Sequence, residues 1–267
     1  MSLADLTNKV ILVTGANTGV GEHTARLCAK LGAKVAVHGR RPDAVDKVVA
    51  DIGENAVGVY GSLDTADEPA KVVEQTVEKL GRIDGVVNNA ALTTRMHFEE
   101  TDVEFFDNMM AVNVRAPFLI CQAALPYLKE SKGSVVNIGS INALGGERML
   151  AAYSISKGAL LTMSKHLANL YDRDSVRFTH INLGWILTEN EYSLKISDGF
   201  PEGWDKNVPQ MMVPTGKMSS PEEVAKVIAF WLSDDGKPFS GTVFELEQYP
   251  FKGRIPTLDA DFLEGKM

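Results

Sequence analysis

Val10-Ile11-Leu12-Val13-Thr14-Gly15-Ala16-Asn17-Thr18-Gly19-Val20-Gly21 begins as four consecutive apolar residues and passes at once into a glycine-spaced loop. An apolar run without alternation suits a strand covered on both faces, and such strands belong to parallel sheets. The glycines let the backbone turn tightly and approach a ligand without Cβ interference. Val20, Leu27, Cys28 and Leu31 then mark one face of a helix. A helix starting there offers unpaired N–H groups and a positive dipole end to a phosphate. The stretch therefore reads as strand, nucleotide-cradling turn and helix.

The same alternation continues outward. Further buried strands are expected at Lys34–His38, Ala56–Tyr60, Gly85–Asn88, Ser134–Ile138, Val176–Asn182 and Thr242–Leu246. Between them, Val45, Val48, Val49 and Ile52 mark a second helix face, and Val72, Val73, Thr76, Val77 and Leu80 a third. Thr101-Asp102-Val103-Glu104 resembles a capping box opening a fourth helix, and Ser220-Pro221-Glu222-Glu223 is a stronger start signal with proline at the first helical position. Strands alternating with helices imply βαβ units. The expected fold class is α/β: a single-domain, doubly wound parallel sheet of about seven strands with helices on both faces, spanning 1–267. The segment 189–215, with Gly199, Pro201, Gly203, Pro209 and Pro214 and no clean period, is expected to be an irregular insertion bordering the substrate.

Composition narrows the function classes. With 27 basic and 35 acidic residues the formal charge is −8, and there is no basic run, so nucleic acid and anionic membranes are excluded as expected partners. No run of 18 or more apolar residues marks a membrane span, and no secretory apolar region precedes Val10. Cys28 and Cys121 lie in apolar helical settings without metal or redox spacing, so they read as core thiols in a reducing, cytoplasmic compartment. His23, His97, His166 and His180 form no ligand pattern, and no metal is expected.

A second stretch carries the chemistry. Ser134-Val135-Val136-Asn137-Ile138-Gly139-Ser140 ends a strand on a small hydroxyl residue, and Tyr153 and Lys157 follow at a spacing of i and i+4. Those two share one helix face, and Ser140 at the strand tip can meet them. Three donors on one point suit proton transfer to or from an oxygen.

The loop spacing Gly-x-x-x-Gly-x-Gly, Asn88-Asn89-Ala90 after the fourth strand, Asn113, Ser140, Tyr153 and Lys157 occur in one order along the chain. With these the chain resembles the short-chain dehydrogenase/reductase family, from about Asp5 to Gly241. The resemblance implies a Rossmann-like fold, a small-molecule carbonyl or alcohol substrate, and a homodimer or homotetramer formed through the long helices holding Asn113 and Tyr153. It implies Tyr153 as general acid/base, with Lys157 and an oxidised nicotinamide lowering the phenol from about 10 towards neutrality. Lys157 would also hold the nicotinamide ribose, Ser140 the substrate oxygen, and Asn113 would position Lys157 through a water in a proton relay, with a structural asparagine bridging a helix kink as its alternative.

The implied cofactor contacts are Gly15, Asn17, Thr18, Gly19, Val20 and Gly21 from the loop, Arg40, Ser62 and Leu63 for the adenosine half, and Asn89 and Ala90 beside the ribose. Gly184, Ile186 and Thr188 would meet the nicotinamide. Val37-His38-Gly39-Arg40-Arg41 lacks the strand-end carboxylate of NAD-preferring enzymes and supplies guanidinium groups for a 2′-phosphate, so NADP(H) is favoured over NAD(H). His38 is expected to pack near the adenine. The chain departs from the family pattern at Ser62-Leu63, Ala91, Leu183-Gly184 and the closing Glu245-Leu246-Glu247-Gln248-Tyr249-Pro250, whose tail to Met267 is expected to wrap a neighbouring subunit.

On the substrate side, Trp185, Tyr192, Phe200, Trp204, Met211 and Met212 and the loop residues Asn142, Leu144, Glu147, Arg148 and Met149 are candidate walls, the aromatics and methionines reading equally as subunit contacts. The resulting expectation is an NADP(H)-dependent oxidoreductase interconverting a secondary alcohol, including sugars and polyols, and its ketone. An NAD-dependent dehydrogenase of the same family and a non-catalytic NADP(H) sensor are the rivals.

Overall fold

The computed structural model describes residues 4–210 and 212–248. Met211 and the tail beyond Gln248 lie outside them, and with them the expectations for Met211 as a wall and for a subunit-wrapping terminus. The elements run β1 (Val10–Val13), α1 (Gly19–Lys30), β2 (Lys34–Gly39), α2 (Pro42–Ile52), β3 (Ala56–Tyr60), α3 (Glu68–Leu80), β4 (Gly85–Asn88), α4 (Val103–Met110), α5 (Ala116–Ser131), β5 (Ser134–Ser140), α6 (Ala151–Leu170), β6 (Arg177–Leu183), α7 (Glu189–Ser197), α8 (Pro221–Leu232) and β7 (Thr242–Leu246). The strands form one sheet in the order β3-β2-β1-β4-β5-β6-β7, with every pairing parallel. The doubly wound α/β expectation is met.

Side chains alternate across this sheet, so each strand feeds two cores. Ile11, Val13, Val35, Val37, Val136 and Ile138 pack with α1, α2 and α8 on one face. Leu12, Ala36, Val86, Val135 and Phe178 pack with α3, α5 and α6 on the other. Strand order reverses between β1 and β4, and there the strand ends leave a crevice at their carboxyl side.

Three details differ from expectation. First, β5 runs on to Ser140, paired with Leu183 of β6, because small residues at a strand tip keep a ladder that hydropathy does not mark. Second, the cap of α4 is Asp102, whose carboxylate accepts from Phe105 N–H at 2.8 Å, one residue later than the Thr101 box. Third, the supposedly irregular segment opens with the nine-residue α7, capped by Thr188, whose hydroxyl accepts from Glu191 N–H at 3.0 Å. Its apolar Tyr192, Leu194 and Ile196 alternate as in a strand, which hides the helix, although Thr188-x-x-Glu191 is a start signal in its own right.

Val103–Ser131 is long and apolar enough by length and composition to cross a membrane. In this fold it is α4, a wide turn and α5, and Ile120, Cys121, Ala124 and Leu128 are buried against the sheet.

Candidate active site

The glycine loop is fixed from below by one hydroxyl. Thr14 Oγ1 donates to Val87 O at 3.2 Å and accepts from the N–H groups of Asn89 (2.9 Å) and Ala90 (3.1 Å). Asn89 Nδ2 donates in turn to Thr14 O and Gly15 O, at 2.9 and 3.1 Å. Gly15 takes φ +60°, and a Cβ on it would lie 2.9 Å from Ala90 Cα, so the close approach admits only glycine. His38 closes the frame: its Nδ1 accepts from Gly15 N–H at 3.3 Å, and its Nε2–H donates to Gly61 O at 3.1 Å. Burial pushes His38 down to about 4 against the raising effect of the Gly61 bond, so the ring is a neutral brace between three strand ends.

Above this frame lies a cleft of about 560 Å³. Gly15, Asn17, Thr18, Gly19 and Val20 line it from the loop, Arg40 from the end of β2, and Ser62 and Leu63 from the end of β3. Asn89 and Ala90 line it beyond β4, and Gly184, Ile186 and Thr188 beyond β6. Thr18 caps α1 without a side-chain hydrogen bond, leaving the first-turn N–H groups to an anionic ligand. Gly21 is placed apart from the other loop residues. It does not line the cleft but sits behind the loop, where a Cβ would meet Gly15 O at 2.3 Å. Arg41, Asp64, Ala91, Leu92 and Thr93 line the cleft as well; of these, Leu92 and Thr93 carried no local signal in the sequence.

At the inner end, Ser140, Tyr153 and Lys157 converge as the spacing predicts. Lys157 is buried, its Nζ donating to Ile138 O at 2.8 Å and standing 5.6 Å from the centre of the Tyr153 ring. Burial pushes Lys157 down to about 8. The chain's own groups do not lower Tyr153, for which the expectation invoked Lys157 together with an oxidised nicotinamide. Burial pushes the phenol up to about 12, a hydrogen bond from Ser140 opposes this, and the carboxylates of Glu147 and Glu191 add to the rise. The chain's own groups therefore hold Tyr153 protonated.

Asn113 is placed differently. It lies in a wide turn, Ala111–Arg115, with i→i+5 geometry between α4 and α5, and it does not line the cleft. Its Oδ1 accepts from Leu92 N–H at 2.8 Å, and its Nδ2 donates to Leu92 O and Ser156 Oγ, both at 3.0 Å. The side chain thus ties the segment after β4 to the residue preceding Lys157. Both groups of its side-chain amide are thereby engaged.

A second cavity of about 610 Å³ opens from the first around Ser140, Tyr153, Gly184 and Trp185. Its far wall is aromatic: Trp204 stacks on Trp185 with centroids 5.5 Å apart, and on Tyr192 at 6.0 Å, while Phe200 meets it edge-on. Its polar groups come from distant parts of the chain, among them Arg95, Glu147, Glu191, Lys195 and Glu247. Of these only Glu147 was anticipated, because the others share no local spacing. Arg95 pairs with Asp198 at 2.7 Å, joining α7 to the segment after β4. Among the described residues no group of three or more His, Cys, Asp or Glu is placed to hold a metal ion.

The comparisons with known proteins agree with this architecture. The model of the family described as short chain dehydrogenase matches residues 9–197. Meso-2,3-butanediol dehydrogenase of Serratia marcescens is 33% identical over 239 residues, 88% of this chain and 91% of that protein. Among solved structures, a 3-oxoacyl (acyl-carrier-protein) reductase from Agrobacterium tumefaciens with NADP bound superposes with a TM-score of 0.83 at 28% identity, covering 91% of this chain and 94% of that one. A 3-ketoacyl-(acyl-carrier-protein) reductase from Brucella melitensis complexed with NADH gives 0.80 at 27%, covering 90% and 97%. A seven-stranded sheet ending in a glycine-braced cleft, with Ser140, Tyr153 and Lys157 at its inner end, thus sits on a chain that belongs to the short-chain dehydrogenase family of NAD(P)-binding oxidoreductases.

Proposed function

We propose that the protein is an NADP(H)-dependent oxidoreductase interconverting a secondary alcohol, of the sugar or polyol kind, and its ketone. The observation carrying this reading is the meeting of Ser140, Tyr153 and Lys157 where the two cavities join. Nicotinamide, when bound, supplies or accepts the hydride and, in its oxidised form, a positive charge. Ser140 Oγ donates to the substrate oxygen, placing a dipole where negative charge develops. The Tyr153 hydroxyl delivers the proton in reduction and recovers it in oxidation. Lys157, anchored on Ile138 O, holds a cation beside the ring and reaches the ribose side of the cleft. A sensor without turnover has no use for this arrangement.

Tyr153→Phe is the direct test. Turnover should fall about 10²–10⁴-fold, the usual contribution of a positioned acid, while NADPH affinity by fluorescence titration stays within a factor of two or so. Retained turnover would refute the mechanism.

NADP(H) preference rests on Arg40 and on the filled space at Gly39, where a Cβ would meet Val45 Cγ2 at 2.7 Å and Asn17 Oδ1 at 2.8 Å. A ribose-binding carboxylate there would be crowded against an amide oxygen. Arg40 lines the cleft, and among the described residues it makes no ion pair within 4.0 Å. Arg40→Asp should weaken NADPH about 10- to 100-fold relative to NADH, the value of one charge-assisted contact. An unchanged ratio means that the arginine is merely solvated.

The same reading takes 1–267 as one oxidoreductase domain with 189–215 as its substrate-side insertion. It takes the chain as a homodimer or homotetramer, and as cytoplasmic on account of two buried free thiols, Cys28 and Cys121.

A further inference from the structure

Glu247 lies one residue beyond β7, far in sequence from every other group at the reaction centre, yet its carboxylate sits on Gly184. A Cβ on Gly184 would lie 1.8 Å from Glu247 Oε2. Oε2 accepts from Trp185 N–H at 3.3 Å, and Oε1 accepts from Gln248 N–H at 2.6 Å. Gln248 is itself clamped, its Oε1 accepting from Thr215 Oγ1 at 2.7 Å and its Nε2 donating to Lys217 O at 2.6 Å. The carboxylate is therefore oriented by backbone donors and fixed through its neighbour. No lysine, arginine or histidine among the described residues pairs with it. An ionised carboxyl group has about four lone-pair sites, and two are taken. Glu247 lines the substrate cavity together with Ser140 and Tyr153, at the end where Gly184 also borders the cofactor cleft.

The rest of that cavity has the same sign. Glu147 and Glu191 line it and their charges reach Tyr153. Its two cations are already directed at acids: Arg95 at Asp198, and Lys195 at Glu191 (4.0 Å) and Asp198 (3.9 Å). A carboxylate-bearing substrate meets repulsion here, whereas a hydroxyl donor meets an oriented acceptor.

We propose that Glu247 determines substrate class by accepting a hydrogen bond from a hydroxyl on the carbon next to the reacting one. The preferred substrates are then neutral α-hydroxy ketones and the corresponding vicinal diols or polyols. This rests on the oxidoreductase reading above and narrows it.

The test compares erythrulose, butanone and acetoacetate as substrates for NADPH-dependent reduction, and measures erythritol binding to the NADP⁺ complex by calorimetry. In the wild type, kcat/KM for erythrulose should exceed that for the other two about 10- to 100-fold, the range for a hydrogen bond to a charged group. In Glu247→Gln that ratio should shrink about tenfold or more, and Glu247→Ala should remove it, with NADPH affinity as the control for folding. A ratio unchanged in both variants, or a wild-type preference for butanone or acetoacetate, overturns the proposal. If no ketone is reduced, the oxidoreductase reading fails by itself and erythritol decides this one: binding that weakens in Glu247→Gln supports it, and no binding overturns it.

Discussion

Lys157 carries two requirements that pull against each other. It must be charged to favour a phenolate beside it, and it must be buried to stand under the Tyr153 ring. Burial wins enough to bring the ammonium down to about 8, while Ile138 O gives it one firm acceptor. The consequence is a pH edge. Below about 8 Lys157 is charged and supports proton delivery by Tyr153; above it the charge is lost, and the phenolate left by delivery loses its stabilisation. With NADPH and ketone both well below saturation, so that the rate reports the free enzyme, reduction should decline as pH rises through about 8. A rate flat to the far alkaline side would show that Lys157 stays charged. The convergence itself was legible, because i,i+4 spacing after a strand ending in serine is a local pattern. The upward shift of Tyr153 was not, because it depends on burial and on Glu147 and Glu191, which approach only in the folded chain.

Among the elements, α8 shows how far a local signal reaches. Ser220 Oγ accepts from Glu223 N–H at 3.4 Å, and Glu223 Oε2 accepts from Ser220 N–H at 2.8 Å, the reciprocal pair that the sequence announces. The helix then buries Val224, Ala225, Ile228 and Leu232 against the sheet and α1. Ser220→Ala should cost about 1 kcal/mol, seen as a melting temperature about 2–4 °C lower for a chain of this size. No loss would mean that Pro221 and packing alone hold the start. By contrast α7 escaped notice because its apolar residues alternate and its capping glutamate does other work. Glu191 Oε1 accepts from Trp185 Nε1–H at 2.8 Å, so the box is half made. At Asn113 an extra residue in a helix leaves apolar periodicity nearly untouched, so a helix kink there was legible only as the alternative reading, and the hydrogen bonds to Leu92 and Ser156 show what the side chain does.

On the scale of the molecule, the sheet leaves β3 and β7 as edges, and the helices α4, α5 and α6 leave large apolar side chains outside. Val103 is 75% exposed, Phe118 48% and Ile155 52%. Those positions support the proposed homo-oligomer. Phe118→Glu should lower the mass measured by light scattering to that of a smaller species, and a wild type already monomeric would end the reading. Fold and cofactor cleft were legible because each is built of short contiguous signals in chain order. The second cavity was legible only in part: Trp185, Phe200, Trp204, Met212, Asn142 and Glu147 line it as the sequence suggests, but Arg95, Glu191 and Glu247 meet there only after the sheet is assembled. That division has a consequence for how such a chain can change through descent. The glycine-loop side of the cleft is lined by strand ends of the first half, whereas the second cavity draws about half of its lining from α7, the segment after it and the end of β7. On the proposed reading, substitutions in those later segments alter which molecule is accepted without disturbing the Gly15–His38–Gly61 brace. Lineages of this architecture can thus acquire new substrates while inheriting the cofactor machinery intact.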